Sequence, residues 1–401
     1  MPRRDLRRPL LESHVSWAAA AVFIWIAVLA TLTAGKYSGD LRGFLHVGSE
    51  FKHPRVFAPI PPVGPWGYDG QFYATLATDP FLRQPETASL LDNPRYRAQR
   101  IALPALAYLL ALGKAEAATY TYPLAVWLTS FLGIGALAWL AKSFGVAPWW
   151  VLVAAFNAGF AASLTRSTPD APALAFLLLG WIALRQGKLA LATFFFMAAG
   201  LTRETSLLAV WALVAAELAT TKKPSALAPA ILPSGTVLLW AAYLAARFPH
   251  QPGGMGGNLG WPLGGLTQKV WLVARGKDVH AMEFLAFLGL LALLAAIPLV
   301  AKRPLHPRAV LYLGFGLLAL SLTMNVYAEA FAFSRVLLPL PWTAVLLLPQ
   351  APRVRVPLEA GLLLQGLSGL SLVHGEYLAA GGLRHVLATT LRMLALVLHS
   401  R

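Results

Sequence analysis

The sequence predicts an all-α membrane protein, a polytopic transmembrane helical bundle of about eleven or twelve spans with a long outer loop after the first. Only 12% of its 401 residues are charged and mean hydropathy is +0.61, which leaves too few charges to cover the surface of a water-soluble domain. Apolar stretches recur along the chain, and several reach the roughly 20 residues that cross a bilayer. We therefore treat residues 1–401 as a single integral membrane domain.

The first span is predicted at residues 15–34. Arginines precede it, as they would in a signal peptide: Arg3, Arg4, Arg7 and Arg8. Its apolar stretch is longer than a signal core and further spans follow, so we expect a retained helix. The basic residues place the N-terminus in the cytoplasm.

Further spans are predicted from apolar segments flanked by short basic loops. Lys142, Lys222 and Arg308 are examples of flanking residues that the positive-inside rule assigns to the cytoplasmic side. The segments are 121–141, 148–165, 171–184, 189–201, 204–219, 229–246, 281–300, 309–326, 335–350 and 357–375. Residues 383–398 either add a twelfth span or lie flat in the interface.

Residues 36–100 are predicted to form the first outer loop. Six of the 17 acidic residues of the chain lie in it, whereas the short cytoplasmic loops carry none. Chemistry that needs carboxylates is therefore expected on the outer face. Residues 101–113 are apolar but only half a span long, which predicts an interfacial helix.

Several function classes are disfavoured by composition. The formal net charge is +16, but the basic residues lie at the ends of apolar stretches, which indicates membrane anchoring and no nucleic-acid partner. The absence of cysteine excludes disulfides and thiolate metal sites. The histidines lack zinc-ligand spacing, and neither a phosphate-binding glycine loop nor a Gly-x-Ser-x-Gly motif occurs.

The first candidate site motif is Gly67-Tyr68-Asp69-Gly70-Gln71. It places the Asp69 carboxylate between glycines, which permit a tight turn and the close approach of a ligand. Tyr68 offers a ring that can stack on a sugar, and Gln71 adds a polar group. The alternative is a simple Asp-Gly turn at the membrane surface.

Basic residues follow in the same loop. Arg97 and Arg100 are three residues apart, so on a helix they share a face directly before the interfacial segment. Two guanidiniums at the headgroup boundary suit a phosphate. The alternative is ordinary anchoring to anionic lipid headgroups.

Three later junctions between apolar stretches add polar residues at the same predicted face. Asp170 stands in Thr168-Pro169-Asp170-Ala171, where proline indicates a broken or newly starting helix; capping of that helix is the alternative role. Arg203 and Glu204 are adjacent, so on a helix they point in different directions. Arg335 lies at the third of these junctions. Charges at this depth need partners, and arginines there are candidates for holding a phosphate.

This arrangement resembles the GT-C superfamily of polyprenyl-phosphate-sugar-dependent glycosyltransferases, which includes protein O-mannosyltransferases, aminoarabinose transferases and GPI mannosyltransferases. Tyr68-Asp69-Gly70 corresponds to the acidic motif of the first outer loop, and Thr168-Pro169-Asp170-Ala171 resembles the second acidic motif. Thr202-Arg203-Glu204 lies where relatives carry a basic motif. The resemblance covers about the first 220 residues, with residues 121–220 as core spans and 221–401 as additional spans.

The resemblance implies inverting sugar transfer at the periplasmic face of the inner membrane. Asp69 would be the general base, with a pKa raised by partial desolvation, and Asp170 would orient the acceptor or a cation. Arg203, Arg97, Arg100 and Arg335 would bind the phosphate of a polyprenyl-phosphate sugar, with Glu204, Tyr68 and Gln71 beside them. The acceptor is a lipid, a glycan or a protein. No cofactor is required by the motifs, although a divalent cation is compatible with them.

Two other classes of function remain open. A secondary transporter or lipid flippase would show inverted repeats and midplane charges. A polyprenol-binding subunit of an envelope-synthesis complex would keep the arginines but would not need Asp69. The glycine-rich segment 253–265 is interpreted either as a loop that closes over substrate or as a flexible connector.

Overall fold

The protein is an all-α bundle, as the sequence predicts. The computed structural model describes residues 13–251, 257–276, 280–302, 306–350 and 352–399. About 75% of the residues in these ranges are helical, and these ranges contain no strand. The N-terminal arginines and the first four residues of the glycine-rich segment, 253–256, lie outside the described residues.

Most helices follow one another with short connections. In chain order the α-helices are α1 His14–Gly35, α2 Gly70–Thr78, α3 Pro85–Ser89, α4 Pro94–Ala98, α5 Ala102–Leu110, α6 Ala115–Ser143, α7 Trp150–Ala155, α8 Ala158–Thr165, α9 Asp170–Arg185, α10 Leu189–Thr202, α11 Ser206–Thr221, α12 Ala228–Arg247, α13 Gly264–Ala274, α14 Ala281–Ala295, α15 Ile297–Ala301, α16 Pro307–Ser321, α17 Met324–Tyr327, α18 Ala330–Val336, α19 Pro339–Leu347, α20 Pro352–Ala379 and α21 Leu383–His399. Short 3₁₀ helices cover Leu41–Leu45, Arg55–Phe57, Pro224–Leu227 and Leu348–Gln350.

Five helical segments in the described ranges are long and apolar enough to cross a membrane, and seven if each of two bent pairs counts as one crossing. The five are His14–Gly35, Ala115–Ser143, Pro224–Arg247, Ala281–Ala301 and Val354–Ala379. The protein is therefore a multi-pass membrane protein. The sequence predicts more crossings because α10, α11 and α16 are also apolar, but these helices are only about 21–24 Å long.

One bent pair places a predicted site residue at a break. Helices α8 and α9 meet at 114°, and the chain between them turns through Ser167, whose φ is +47°. Thr168 precedes Pro169, and a residue before proline is disfavoured in helical conformation. Asp170 therefore begins a new helix inside the bundle instead of lying in a continuous one.

The segment between α1 and α6 folds against the bundle around a small apolar core of its own. Phe72 and Leu76 of α2 pack there with Leu103 of α5 and Tyr122 of α6. The predicted interfacial segment 101–113 contains α5, whose last turn leaves large apolar side chains exposed: Leu109 at 68% and Leu110 at 52%. A helix that is buried on one side and apolar on the other suits the edge of a membrane.

Glycine residues bring several helices close together. At Gly159 in α8, an added Cβ would lie 2.1 Å from the carbonyl oxygen of Ser334 in α18. At Gly361 in α20 an added Cβ would lie 3.0 Å from the carbonyl oxygen of Gly289 in α14. Such contacts are typical of membrane bundles, where packing has to replace the hydrophobic effect between helices.

Candidate functional site

The turn that carries Asp69 is fixed by close backbone contacts. The amide of Tyr68 donates to the carbonyl oxygen of His46 at 2.8 Å. Gly70 lies against the backbone of Arg166, where an added Cβ would be 2.4 Å from the carbonyl oxygen. Glycine is therefore required after Asp69, and the carboxylate is held at the start of α2.

Gln71, which the sequence places among the substrate-binding residues, has another role in this turn. Its Oε1 accepts from the amide of Gly48 at 2.9 Å, and its Nε2 donates to the carbonyl oxygen of Trp66 at 2.9 Å. The side chain is fully buried. Since both ends of its amide are engaged, Gln71 ties together the two sides of the loop beneath Asp69.

Asp69 itself lies between two guanidiniums. Nη1 of Arg97 is 2.9 Å from Oδ1, and Nη2 of Arg335 is 3.0 Å from Oδ2. Arg97 also holds Asp92 through two parallel contacts, the shorter at 2.7 Å. The Asp69 side chain keeps 22% exposure. It is thus both ion-paired and accessible to solvent.

Asp170 is the buried counterpart, with a side chain only 1% exposed. It pairs with Arg203 and with Nη1 of Arg335, the latter at 3.3 Å. The hydroxyl of Ser163 accepts from the amide of Ala171 at the start of α9 at 3.3 Å, whereas the Asp170 carboxylate forms ion pairs and does not cap the helix. Arg335 bridges Asp69 and Asp170, and it joins α18 to the first loop and to the helix break.

Arg100 and Glu204 form a further pair. Nε and Nη2 of Arg100 lie 3.2 Å and 3.0 Å from the two carboxylate oxygens. The other contacts of Arg100 are to the hydroxyls of Tyr73 and Tyr96, both at 2.7 Å. Arg203 and Glu204 thus turn to different partners, as their adjacency predicts.

The structure therefore brings together predicted residues from four distant segments. We call the ion-pair network the set Asp69, Asp92, Asp170 and Glu204 with Arg97, Arg100, Arg203 and Arg335. Its four carboxylates and four guanidiniums balance in formal charge. Arg97 and Arg100 are buried, so they face this network and not lipid headgroups. A phosphate that enters must exchange with a carboxylate.

The expectation of a raised pKa at Asp69 is wrong. Burial alone would raise the pKa of Asp69, but the positive charges of Arg97 and Arg335 outweigh it and hold this pKa well below its usual value. Asp69 is therefore ionised at neutral pH, and it stays a weak base for as long as both arginines pair with it.

Buried polar atoms without a protein hydrogen-bond partner surround the ion-pair network. Within the described residues they belong to Tyr68, Tyr122, Ser167, Thr202, Arg203 (its Nε) and Ser334. Four of these residues belong to the network or adjoin one of its members in sequence, namely Tyr68, Thr202, Arg203 and Ser334, and buried groups of this kind require an explanation. Burial raises the pKa of Tyr68 to about 12, so its hydroxyl stays protonated as a donor. A polar ligand would satisfy such groups.

A second charged cluster lies beside the first. Glu376 in α20 accepts from Lys36 at 2.5 Å and from Arg166 at 2.9 Å. The Tyr68 ring lies between the two clusters, 5.6 Å from the guanidinium carbon of Arg166 and 4.8 Å from that of Arg335. The two clusters therefore share one aromatic ring.

The sequence interpretation missed Glu376, Lys36 and Arg166 as site residues, and it missed Asp92 as a partner of Arg97. Only Glu376 carried a usable signal, because an acidic residue inside a 26-residue apolar helix needs a buried partner. Lys36 and Arg166 looked like the basic ends of spans.

A divalent cation is not favoured by this geometry. The described ranges contain no group of three or more His, Asp or Glu side chains that could hold a metal ion. The oxygens of Asp69 and Asp170 already face guanidiniums. We therefore derive no step through a cation.

Comparison of the chain with protein-family models, with curated proteins and with solved structures finds no match.

Proposed function

We propose that this protein is a membrane-embedded, inverting glycosyltransferase. It takes a sugar from a polyprenyl-phosphate donor and transfers it to a hydroxyl of a lipid, glycan or protein acceptor at the outer face. The observation that carries the proposal is Asp69, a solvent-accessible carboxylate held between Arg97 and Arg335 at the edge of a membrane bundle. A reaction that needs a base beside an anionic leaving group uses this combination.

The arginines supply the phosphate site. A phosphate that approaches Asp69 can form two-pronged contacts with Arg97 and Arg335, which are charge-assisted and stronger than neutral hydrogen bonds. Arg97 retains Asp92 and Arg335 retains Asp170 during the exchange. Each guanidinium therefore exchanges Asp69 for the phosphate and keeps a second carboxylate that compensates its positive charge.

The same exchange activates Asp69. Its pKa is low because two positive charges stabilise the ionised form, so diverting those charges to a phosphate raises its basicity. The acceptor oxygen then attacks the anomeric carbon as its proton passes to Asp69. The bond between that carbon and the phosphate oxygen breaks, and its electron pair leaves with the polyprenyl phosphate. One attack from the face opposite the leaving group inverts the configuration.

The remaining charged residues hold this arrangement in place. Asp170, with Arg203, fixes the far side of Arg335. The pair of Arg100 and Glu204 connects the first loop to the α10–α11 junction and leaves Arg100 beside Tyr73. Precise placement of this kind is a large part of catalysis, because misplacement by about 1 Å can lower a rate by about 10²-fold.

The proposed setting is a bacterial-type inner membrane, with the N-terminus in the cytoplasm and the ion-pair network facing the periplasm. In this setting α8, α9, α10, α11 and α16 would each be a further crossing and the bent pair α18–α19 one more, which makes eleven spans with the five long segments. Helix α21 would be the twelfth or would lie flat in the interface. Support comes from the basic residues at one set of connections and the acidic first loop at the other. The arrangement of first loop and later acidic motif is the one that resembles GT-C enzymes.

Transport is a second candidate function, favoured by one observation. The 114° break between α8 and α9 places an ionised side chain at the start of a half-helix, and transporters often bind substrates at broken helices. A flippase that moves a polyprenyl-phosphate sugar would use the same arginines without breaking the sugar–phosphate bond. The two functions therefore differ in their products.

The test compares wild type with Asp69→Asn in lipid nanodiscs. A panel of radiolabelled polyprenyl-phosphate hexoses serves as donor, a membrane extract serves as acceptor, and free polyprenyl phosphate is the product measured. We expect Asp69→Asn to lower the rate by about 10²–10⁴-fold, the usual contribution of a general base. The melting temperature should change little, because Arg97 and Arg335 keep Asp92 and Asp170.

Asp40→Asn is the matched control, since Asp40 lies in the same loop and, among the residues that the structure describes, pairs only with Arg42. It should retain wild-type activity. Full activity of Asp69→Asn would show that Asp69 is not the general base. Movement of intact donor across proteoliposomes, without release of polyprenyl phosphate, would favour transport instead.

A further inference from the structure

Two arginines line a cavity away from the ion-pair network, where α6 and α9 end and α16 begins. The cavity has a volume of about 280 Å³ and opens between these helices and α11. The two arginines are Arg185, in the last turn of α9, and Arg308, in the first turn of α16. The cavity is close in size to the smallest small-molecule sites, about 300 Å³.

Both guanidiniums lie over a single ring. The guanidinium carbon of Arg308 is 3.9 Å from the centroid of Phe144, and that of Arg185 is 4.4 Å from the same centroid. The ring attracts both cations, but it does not cancel their charges. Two like charges are thus held near each other.

Neither arginine has a carboxylate partner within the described residues. Arg185 donates to Ser143 Oγ at 3.1 Å, and Arg308 donates to the carbonyl oxygen of Leu346 at 3.0 Å. Glu217 lines the cavity but forms no ion pair with either arginine. The charged lining therefore keeps a surplus of positive charge.

Arg308 is the more unusual of the two. It is only 8% exposed, and a buried, unpaired charge is costly. It also lies at the N-terminal end of α16, where the helix dipole is positive and disfavours a cation. An anion in the cavity would relieve both penalties, because it would face a guanidinium and a helix N-terminus together.

We propose that this cavity binds a phosphate group, held by Arg185 and Arg308 over Phe144. The planar guanidinium is suited to two-pronged contacts with phosphate oxygens. The phosphate comes either from a lipid headgroup or from a soluble phosphate compound. The site is independent of the proposed sugar transfer, since it shares no residue with the ion-pair network.

The test uses the full-length chain, with two probes. Binding of radiolabelled inorganic phosphate is measured in detergent, and retention of phosphatidylglycerol is counted by native mass spectrometry. Arg185→Gln is the main variant, because Arg185 is exposed and its loss should not disturb folding. We expect it to weaken one of the two probes about tenfold, the effect of losing one charge-assisted hydrogen bond.

Arg308→Gln should give the same loss, and Arg355→Gln is the matched control. Arg355 is 62% exposed and pairs with Glu359, so its substitution should leave binding unchanged. Loss of the lipid alone identifies a headgroup site, and loss of phosphate alone identifies a soluble ligand. Wild-type binding of both probes in Arg185→Gln, or no saturable binding by wild type, would overturn the proposal.

Discussion

Arg335 connects Asp69 and Asp170, the two candidate catalytic carboxylates of the site. Its two terminal nitrogens contact Asp69 and Asp170, its guanidinium carbon lies 4.8 Å from the centre of the Tyr68 ring, and its Nε donates to the carbonyl oxygen of Phe331. A planar group with several donors is needed for these contacts, and lysine cannot reproduce them.

Substitutions at Arg335 should therefore distinguish the effect of its positive charge from the effect of its planar geometry. Arg335→Gln leaves Asp170 buried with Arg203 alone, and breaking a buried pair costs about 3–5 kcal/mol. We expect a clear fall in melting temperature together with loss of sugar transfer. Arg335→Lys should recover part of the stability but little of the activity. Thermal unfolding and the polyprenyl phosphate release assay measure the two effects.

Arg42→Lys is a suitable control, because Arg42 pairs with Asp40 outside the ion-pair network. It should be close to wild type in both assays. Wild-type activity in Arg335→Lys would show that positive charge alone is sufficient, and the proposed two-pronged phosphate contact would then be wrong.

At the scale of single residues, the sequence could predict the site residues that lie in polar motifs. Asp69 is flanked by glycine, and Asp170 follows a proline at a junction between apolar stretches, so both differed from their surroundings. The low pKa of Asp69 could not be predicted. It depends on Arg97 and Arg335, and the distance from Asp69 to Arg335 is set by tertiary packing alone.

Among the elements, α8 and α18 decide where Arg335 lies. Gly159 lets the backbone of α18 pack directly on α8, and α18 carries Arg335 one residue beyond this contact. The approach of these two helices is thus a positioning device for the ion-pair network.

Gly159→Ala should disturb both fold and site. The added methyl would lie 2.1 Å from a backbone oxygen, so α18 must move, and overpacking of this kind costs about 1–3 kcal/mol. We expect a lower melting temperature and a larger relative loss of sugar transfer. Gly135→Ala in α6 is the matched control, because nothing lies within 4 Å of its added methyl. Equal behaviour of the two variants would contradict this role for Gly159.

The composition of the sequence predicts which segments are helical, but it does not predict the direction that each helix takes in the bundle. Most predicted spans coincide with a helix, and Pro169 correctly marks a break. Two of the others are wrong as single helices, because 148–165 is divided between α7 and α8 and 335–350 between α18 and α19. Apolar composition looks the same in a crossing helix and in a buried half-helix. For this reason the sequence could not give the 114° bend between α8 and α9, or distinguish short buried helices from full spans.

For the molecule as a whole, the side of the membrane that each connection faces is open to a direct test. The chain has no cysteine, so single cysteines can be introduced without a background. In intact cells, a membrane-impermeant maleimide should label Ser49→Cys, in the first loop, but not Thr221→Cys, at the end of α11. Labelling of Thr221→Cys should require permeabilised cells.

A wild-type chain without cysteine is the internal control and should remain unlabelled in both conditions. The opposite pattern, with Thr221→Cys labelled first, would place the ion-pair network on the cytoplasmic side. The donor would then have to be presented from that side.

The contact between Asp69 and Arg335 joins residues 266 positions apart, and this separation has a consequence for biosynthesis. At about 5–20 residues per second, a ribosome needs roughly 13–53 s to make the chain between them. During this interval Asp69 can pair with Arg97, which is translated soon afterwards, but Asp170 still lacks Arg335. A nascent chain stalled before α18 would therefore hold Asp170 with Arg203 as its only guanidinium partner among the described residues, and the site is complete only after α18 has been inserted.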